Sequence, residues 1–167
     1  MKKTILLLAL VALGTGLSAQ SFQYDKIYYR YKGGEGVVAL KVPGFVMRMA
    51  ASIGDLDREE KALLRSLRSV SVLTIDENEL YPGVNFAREF ASFRGSDDTH
   101  ILLEVHDSGE DVLIAAREKN GRITDLFVAV GGDDNVLVHV KGRMDRDLLE
   151  NLAGVAGIDE LRFTSEI

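Results

Sequence analysis

The sequence predicts an α+β fold: a largely antiparallel sheet that ends in a C-terminal four-strand meander, with helices packed mainly on one face. From His100 onward, apolar residues recur with a period of two through four runs that are separated by turn residues, which is typical of consecutive antiparallel strands. Before His100, segments with apolar residues at helical spacing are interspersed with β-branched runs. Helices and strands are therefore expected to share one core.

The first helix and strand follow the N-terminal leader. Residues 24–31 place Tyr and Ile side chains at helical spacing, and Gly33 and Gly34 end the pattern. The spacing favours packing of these side chains in the core, and a sugar-binding or membrane-docking surface is the alternative. Residues 36–42 are rich in β-branched side chains and predict a strand, and Pro43 suits the first turn of a following helix.

Two further helices are predicted before the meander. Asp57 and Glu60 have the spacing of a capping box, and the apolar residues after them predict a helix that gives way to a strand near Ser69. A helix is also predicted after Pro82. It places three aromatic side chains on one stripe: Phe86, Phe90 and Phe93.

The meander is expected to comprise residues 100–106, 111–118, 122–130 and 135–142. Asn120 and Gly121 between its second and third strands are the pair favoured in two-residue hairpin turns. A last helix is predicted from Asp145, its N-cap, to a stop at Gly154.

Residues 1–19 have the features of a secretory signal peptide: Lys2 and Lys3, a short apolar run, and small residues before Gln20. An uncleaved membrane anchor is the alternative. Cleavage after Ala19 would leave a single α+β domain, residues 20–167, with no stable membrane span. We expect export to the periplasm or cell envelope, and secretion beyond it stays open.

Charge and composition limit the partners of the mature chain. Loss of the two lysines of the leader changes the formal net charge from −6 to −8. With no basic cluster to offset this charge, a nucleic-acid partner is not expected. The chain contains no cysteine, which excludes disulfides, thiol nucleophiles and the lipid attachment of bacterial lipoproteins.

The central strands of the meander are apolar on both sides. If the hairpin pairs Lys119 with Arg122, one face is expected to carry a set of side chains that forms a partner-binding surface or a contact with a second copy. This predicted face consists of Val112, Ile114, Phe127 and Ala129. Alternatively, helices cover both sides of the sheet.

Residues 131–135, Gly-Gly-Asp-Asp-Asn, resemble four residues of the diguanylate cyclase signature, but Asn135 stands where that signature has phenylalanine. The residue types predict a turn. A calcium loop is disfavoured because the alternating acidic spacing is missing.

His100 and His106 are expected on one strand face, and a zinc site would need His139 beside them. No cofactor is predicted and a metal site is left undetermined.

No hydrolase motif is present: the chain has no Gly-x-Ser-x-Gly elbow, no His-Glu-x-x-His helix and no cysteine. An enzyme is therefore the less favoured class, and no catalytic residue is assigned. Catalytic carboxylates that come together only in the folded state have no characteristic spacing in the sequence. A metal-dependent or carboxylate-based hydrolase consequently stays the alternative.

Residues 22–45, the helix-to-strand step at 63–76 and the block from Glu104 to Asp145 resemble together the exported bacterial family called domain of unknown function 4252. The likeness runs over about residues 22–154. It implies an exported protein of Gram-negative bacteria with no established activity, and it carries no catalytic residues onto this chain. A place in envelope signalling is a further implication of the resemblance.

The leading hypothesis is a non-enzymatic exported module that binds an envelope protein or itself. A flat exposed apolar surface would favour this binding role. A cleft with convergent acids of perturbed pKa would favour the hydrolase. A purely structural envelope component is the third possibility.

Overall fold

The computed structural model describes residues 22–76, 78–92 and 99–145. The predicted signal peptide, Phe93 and the predicted helix after Asp145 lie outside these residues. Helices and strands follow one another as α1 (Phe22–Tyr31), β1 (Val37–Pro43), α2 (Gly44–Ile53), α3 (Arg58–Ser66), β2 (Leu67–Ile75), a 3₁₀ turn (Asn78–Leu80), α4 (Phe86–Ala91), β3 (Thr99–Asp107), β4 (Glu110–Lys119), β5 (Arg122–Gly131) and β6 (Asn135–Met144).

The strands form one antiparallel sheet in the order β1-β2-β6-β5-β4-β3. The predicted α+β class and the C-terminal meander β3 to β6 are confirmed. Strand β6 returns beside β2, so that β1 and β3 are the two edges of the sheet. The N-terminal and C-terminal halves of the described chain thus share one sheet.

The local signals for the first four elements are confirmed. In α1, Tyr24, Ile27 and Tyr28 are buried in the main hydrophobic core, as the helical spacing predicted. The Asp57 carboxylate accepts hydrogen bonds from the backbone N–H groups of Glu59 and Glu60, both at 2.8 Å, and the Glu60 carboxylate accepts one from the Asp57 N–H. The capping box therefore fixes the start of α3.

Strand β2 begins at Leu67, two residues before the predicted transition at Ser69. Pro43 is the last residue of β1 and the N-cap of α2, and β1 is an edge strand, where proline is tolerated.

The hairpin between β4 and β5 has the predicted turn, with φ of 54° at Asn120 and 70° at Gly121. Lys119 pairs with Arg122, but the register shifts between Arg117 and Glu118 so that Arg117 lies opposite Asp125. Thr124 is therefore the extra residue of a β-bulge. From this point on, every side chain of β5 points to the face opposite the one that a regular hairpin would give.

The two faces of the sheet are covered differently. On the core face, α1 and α4 pack against side chains of all the central strands: Leu73, Leu113, Phe127 and Leu137. On the second face, Met47 of α2 and Leu63 and Leu64 of α3 pack against one row of side chains near one end. That row consists of Val42, Val70, Val140, Leu126 and Ala116.

Candidate functional site

The predicted partner face does not exist as one surface. Because of the bulge at Thr124, Val112 and Ile114 pair with Val130 and Val128 on the second face. Phe127 and Ala129 pair instead with Ala115 and Leu113 and are fully buried on the core face. The prediction that Val112, Ile114, Phe127 and Ala129 share a face is therefore wrong.

An exposed apolar surface lies on α2. Phe45, Met49 and Ile53 are 62%, 56% and 80% exposed, whereas Met47 and Ala51 on the inner side of the same helix are buried. Positions 45, 49 and 53 recur every four residues, so their side chains form one stripe along the helix. A stripe of large exposed apolar side chains is typical of a contact surface when the other side of the helix is buried.

Two further exposed apolar side chains lie on the edge strand that precedes α2. Val38 and Leu40 of β1 project from the second face of the sheet and are about half exposed. We call Val38, Leu40, Phe45, Met49 and Ile53 together the apolar patch. On its outer side β1 pairs with no strand among the described residues. An unpaired edge with apolar side chains can add a further strand from a partner.

The patch lies in a segment with a charge opposite to that of the whole chain. From Gly36 to Gly54 the sequence contains Lys41 and Arg48 but no Asp or Glu, and both basic residues are exposed. The complete chain has a formal net charge of −6. The segment of the patch is thus apolar and locally cationic.

A second notable group is a buried charged cluster on the core face. It consists of Asp125, His139 and Arg117. The His139 Nε2 lies 2.8 Å from one Asp125 oxygen, and the Thr124 hydroxyl donates to the other at 2.9 Å. Arg117 Nη1 is 3.9 Å from the Asp125 carboxylate, and this nitrogen has no hydrogen-bond partner among the described residues. The Asp125 carboxylate therefore forms a hydrogen bond with His139 and is the counter-charge of the buried Arg117 guanidinium.

Aromatic rings close this buried cluster off. The His139 ring stacks on Phe127 with centroids 4.4 Å apart, and the Tyr24 ring lies 4.6 Å away on the α1 side. Ser71 of β2 lies directly opposite His139 in the sheet and is also buried. Serine, histidine and aspartate thus lie near one another, but Asp125 occupies the His139 Nε2 and the residues are covered by α1. A substrate has no access to them in this arrangement.

Burial sets the protonation of the cluster. Desolvation lowers the pKa of His139 below its ordinary value and outweighs the opposing effect of Asp125. Desolvation alone would raise the pKa of Asp125, but its hydrogen bonds from His139 and Thr124 lower it overall. His139 is therefore neutral at pH 7 and donates its Nε2 proton to an ionised Asp125.

These pKa shifts predict that acid destabilises the protein. Both groups have folded-state pKa values below their unfolded values, so the unfolded chain takes up protons first as the pH falls. The stability due to His139 is present above about pH 6.5 and is lost as the pH falls towards its lowered folded pKa. We expect urea unfolding to give a smaller free energy of unfolding at pH 5.5 than at pH 7.5.

The pKa of exposed His106 is raised, chiefly by its hydrogen bond with Asp111, so its contribution has the opposite sign and is lost as the pH rises. A His106→Gln background removes that contribution and should steepen the loss in acid. A further His139→Gln change should flatten it. A stability that is constant or rises from pH 7.5 to 5.5 in the His106→Gln variant would contradict the proposed state of His139.

A third polar group lies at the end of the sheet around Asp111. This buried carboxylate accepts hydrogen bonds from His106 Nδ1 at 2.5 Å and from the Asn85 amide at 2.7 Å, and it pairs with Arg88 Nε at 2.7 Å. The pKa of Asp111 is lowered, chiefly by its hydrogen bond with His106. Asn85 is also the N-cap of α4, since its side chain accepts from the Arg88 N–H. The group therefore joins α4 to β4.

The predicted arrangement of histidines is wrong. A register shift between Ile101 and Leu103 leaves His100 opposite Ala116 on the second face and His106 opposite Asp111 on the core face. His139 is buried within β6. Within residues 22–76, 78–92 and 99–145, no group of three or more His, Cys, Asp or Glu is placed to hold a metal ion.

The Gly-Gly-Asp-Asp-Asn stretch contains the predicted turn: Gly131 ends β5, residues 132–134 form the turn, and Asn135 begins β6. A side chain on Gly131 would collide with the side chain of Asn85, and one on Gly132, at φ of 142°, would collide with the Gly109 carbonyl. The buried Asn135 amide accepts from the Phe86 N–H at 3.0 Å and donates to the Val84 carbonyl at 3.2 Å. The stretch thus positions the start of α4.

Comparison with known proteins decides the family. The sequence matches the family described as a domain of unknown function, DUF4252, over residues 29–152. The chain belongs to the DUF4252 family. The match extends past Met144, the last residue of β6. No curated protein and no solved structure shows significant similarity to the chain. In the part of this DUF4252 chain that the structure describes, no helix is long and apolar enough to cross a membrane.

Sequence reasoning missed the apolar patch and the buried cluster. The α2 segment was expected only to continue as a helix after Pro43, and its apolar residues did not indicate which side faces solvent. Nothing in the sequence indicated that Asp125 is buried, because aspartates are mostly exposed. Its bulge-dependent position in β5 appears only in the pairing of the strands.

Proposed function

We propose that this DUF4252 chain is an exported, non-enzymatic interaction module of the cell envelope. It binds, at the apolar patch, a protein segment that combines apolar side chains with carboxylates. The single observation that carries the proposal is the stripe of Phe45, Met49 and Ile53, which stays in solvent on a helix whose other side is buried. Burial of each such side chain by a partner would contribute roughly 1.5–3 kcal/mol before the costs of association.

Charge complementarity selects the partner. Arg48 lies on α2 beside the stripe, and Lys41 lies on the same edge strand as Val38 and Leu40 but on its other face. An acidic and apolar segment that binds along the β1 edge would satisfy both features. In a symmetric contact between two copies, the same cations would face one another, which disfavours self-association at this patch. The net charge of the chain likewise disfavours an anionic lipid surface.

The buried cluster supports a binding role over the alternative hydrolase. Asp125 and His139 form a buried acid–base pair, and the rings of Tyr24 and Phe127 lie against His139. Their hydrogen bond satisfies polar groups within the core. Catalysis would need these groups at a surface that a substrate reaches.

Export is part of the proposal and rests on the leader at residues 1–19. Expression of the full chain in a Gram-negative host should give a periplasmic protein whose amino-terminal sequence starts at Gln20. An unprocessed chain that begins at Met1 and stays in the cytosol would overturn the export part of the proposal. The binding part is tested separately by peptide selection.

Selection from a random peptide display library tests the binding function. The bait is the mature chain, residues 20–167. We expect enriched peptides that alternate apolar and acidic residues, whose binding weakens as salt is raised because charge pairs contribute. Selection against a Lys41→Glu, Arg48→Glu double variant should lose the acidic preference.

Two other outcomes would overturn the proposed partner. Cosedimentation with phosphatidylglycerol vesicles that is lost in a Met49→Asp variant would make the patch a lipid-binding surface. A dimer in sedimentation equilibrium that the same change dissociates would make the patch a contact between copies. Enriched peptides without acidic residues would also contradict the proposal.

A further inference from the structure

We propose that the partner segment binds as an added antiparallel β-strand along the free edge of β1. In this arrangement an acidic side chain lies beside Lys41 on the core face, and apolar side chains lie beside Val38 and Leu40 on the second face. Strand addition deepens the proposed function and rests on it, since it gives the conformation of the bound partner and the backbone groups that hold it.

The hydrogen bonds at the start of β1 show which backbone groups its free edge offers. The Asp76 N–H donates to the Gly36 carbonyl at 2.9 Å, and these two residues continue the register of the β1–β2 pair. In an antiparallel ladder, hydrogen-bonded and non-hydrogen-bonded positions alternate. The N–H and C=O groups of the even-numbered residues of β1 therefore point to β2, and those of Ala39 and Lys41 point away from the sheet.

These outward groups form a short and regular template. Within the described residues, the backbone N–H and C=O groups of Ala39 and Lys41 have no hydrogen-bond partner. The template ends at Pro43, which stands at the next outward position and has no N–H. An antiparallel strand can form a hydrogen-bonded pair with each of the two residues, which corresponds to a bound segment of about five residues.

The side chains along β1 determine what the added strand carries. Lys41 lies on the core face and is exposed, whereas Val38 and Leu40 lie on the second face and are about half exposed. Side chains of neighbouring strands lie next to one another on the same face and interact as pairs. The edge therefore favours a segment in which apolar residues alternate with acidic ones, with the acidic residues on the side of Lys41.

The opposite edge of the sheet is a poorer template. Strand β3 has a register shift between Ile101 and Leu103, and such irregularities protect an edge against strand addition. Strand β1 pairs with β2 without a register shift, so its outer edge is regular.

Lys41 also disfavours the pairing of two copies through β1. Such a pair would bring two ammonium groups to the same face of the extended sheet, where like charges repel. A carboxylate on the partner replaces this repulsion with attraction. The same residue thus separates an acidic partner from a second copy of the chain.

Proline substitutions in β1 test the assignment of the outward groups. The probe is the fluorescein-labelled peptide Thr-Val-Glu-Val-Glu-Val-Thr. Ala39→Pro removes an outward N–H and leaves the bonds to β2 in place, so it should raise the Kd of the probe at least tenfold without moving the midpoint of urea unfolding. The matched change Leu40→Pro removes an N–H that bonds to β2 and should lower that midpoint. Equal midpoints for the two variants would contradict the assignment.

N-methylation of the probe tests the same alternation in the partner and leaves the protein unaltered. In the added strand, the Glu residues lie beside Ala39 and Lys41, so their N–H groups bond to β1. Methyl groups on both Glu nitrogens should raise the Kd at least tenfold, and methyl groups on two Val nitrogens should leave it within about twofold.

The outcomes separate strand addition from the proposed function. Binding that Met49→Asp weakens, but that neither Ala39→Pro nor methylation of the Glu nitrogens changes, would overturn strand addition and leave the proposed function in place. A probe that does not bind, while a peptide selected from the library does, would also overturn strand addition. The absence of binding by any selected peptide would overturn the proposed function itself.

Discussion

Replacement of Asp125 with alanine is expected to lower the free energy of unfolding by about 3–5 kcal/mol, since it leaves a buried Arg117 guanidinium without a counter-charge. His139 would also lose the acceptor of its Nε2 proton. Urea unfolding at pH 7.5, followed by circular dichroism, measures the change.

The control for this effect is a second change at Arg117. If an unpaired charge causes the loss, the double variant Asp125→Ala, Arg117→Met should be more stable than Asp125→Ala alone, because both charged partners are then absent. A loss below about 1 kcal/mol in the single variant, or a double variant less stable than the single one, would contradict the role given to Asp125.

Replacement of Phe127 with alanine is expected to lower the free energy of unfolding by about 3–5 kcal/mol. Its ring is 1% exposed and contacts the rings of Phe90, His139 and Tyr24, so its removal leaves a cavity beneath both helices of the core face. Thermal and urea unfolding both report this loss. Phe127→Asp should abolish folding, because an uncompensated carboxylate would be buried at the same place.

Phe45→Ala is the matched control, since Phe45 is the same residue type on the exposed stripe of α2. Its effect should stay within about 0.5 kcal/mol. Equal losses at positions 45 and 127 would show that the assignment of exposed and core faces is incorrect.

Local signals in the sequence were sufficient for most of the elements. The capping box at Asp57 and Glu60 and the Asn120-Gly121 turn involve residues at most three positions apart, and their geometry follows from those residues alone. The period of two in the last four runs likewise predicts strands directly. These features are confirmed in the fold and in its class.

The sequence predicted less well on which face of the sheet each side chain lies, because a single extra residue in a strand exchanges the two faces. The turn of the β4–β5 hairpin was correct, but the bulge at Thr124 exchanges the faces of all the residues after it. Nothing about a threonine between Ile123 and Asp125 distinguishes a bulge from a regular strand position. The bulge places Asp125 beside His139, 14 residues away in the chain, and moves Phe127 into the core.

The apolar patch illustrates a second limit of sequence reasoning. Helix α2 has apolar residues on both sides, at Met47 and Ala51 as well as at Phe45 and Met49. Its pattern is therefore typical of a helix buried all round. Because α2 packs on the second face of the sheet through Met47, the opposite side of the helix stays in solvent. A surface of this kind depends on topology, which local spacing does not encode.

The most direct measurement of the central claim is the affinity of an acidic, apolar peptide for the mature chain and two variants, by fluorescence anisotropy. Met49→Asp places a carboxylate in the centre of the patch and should raise the Kd about tenfold or more, equivalent to at least about 1.4 kcal/mol. Tyr29→Asp adds the same charge at a residue that is 67% exposed on α1 and should leave the Kd unchanged. Equal Kd values for the unchanged chain and Met49→Asp would contradict binding at the apolar patch.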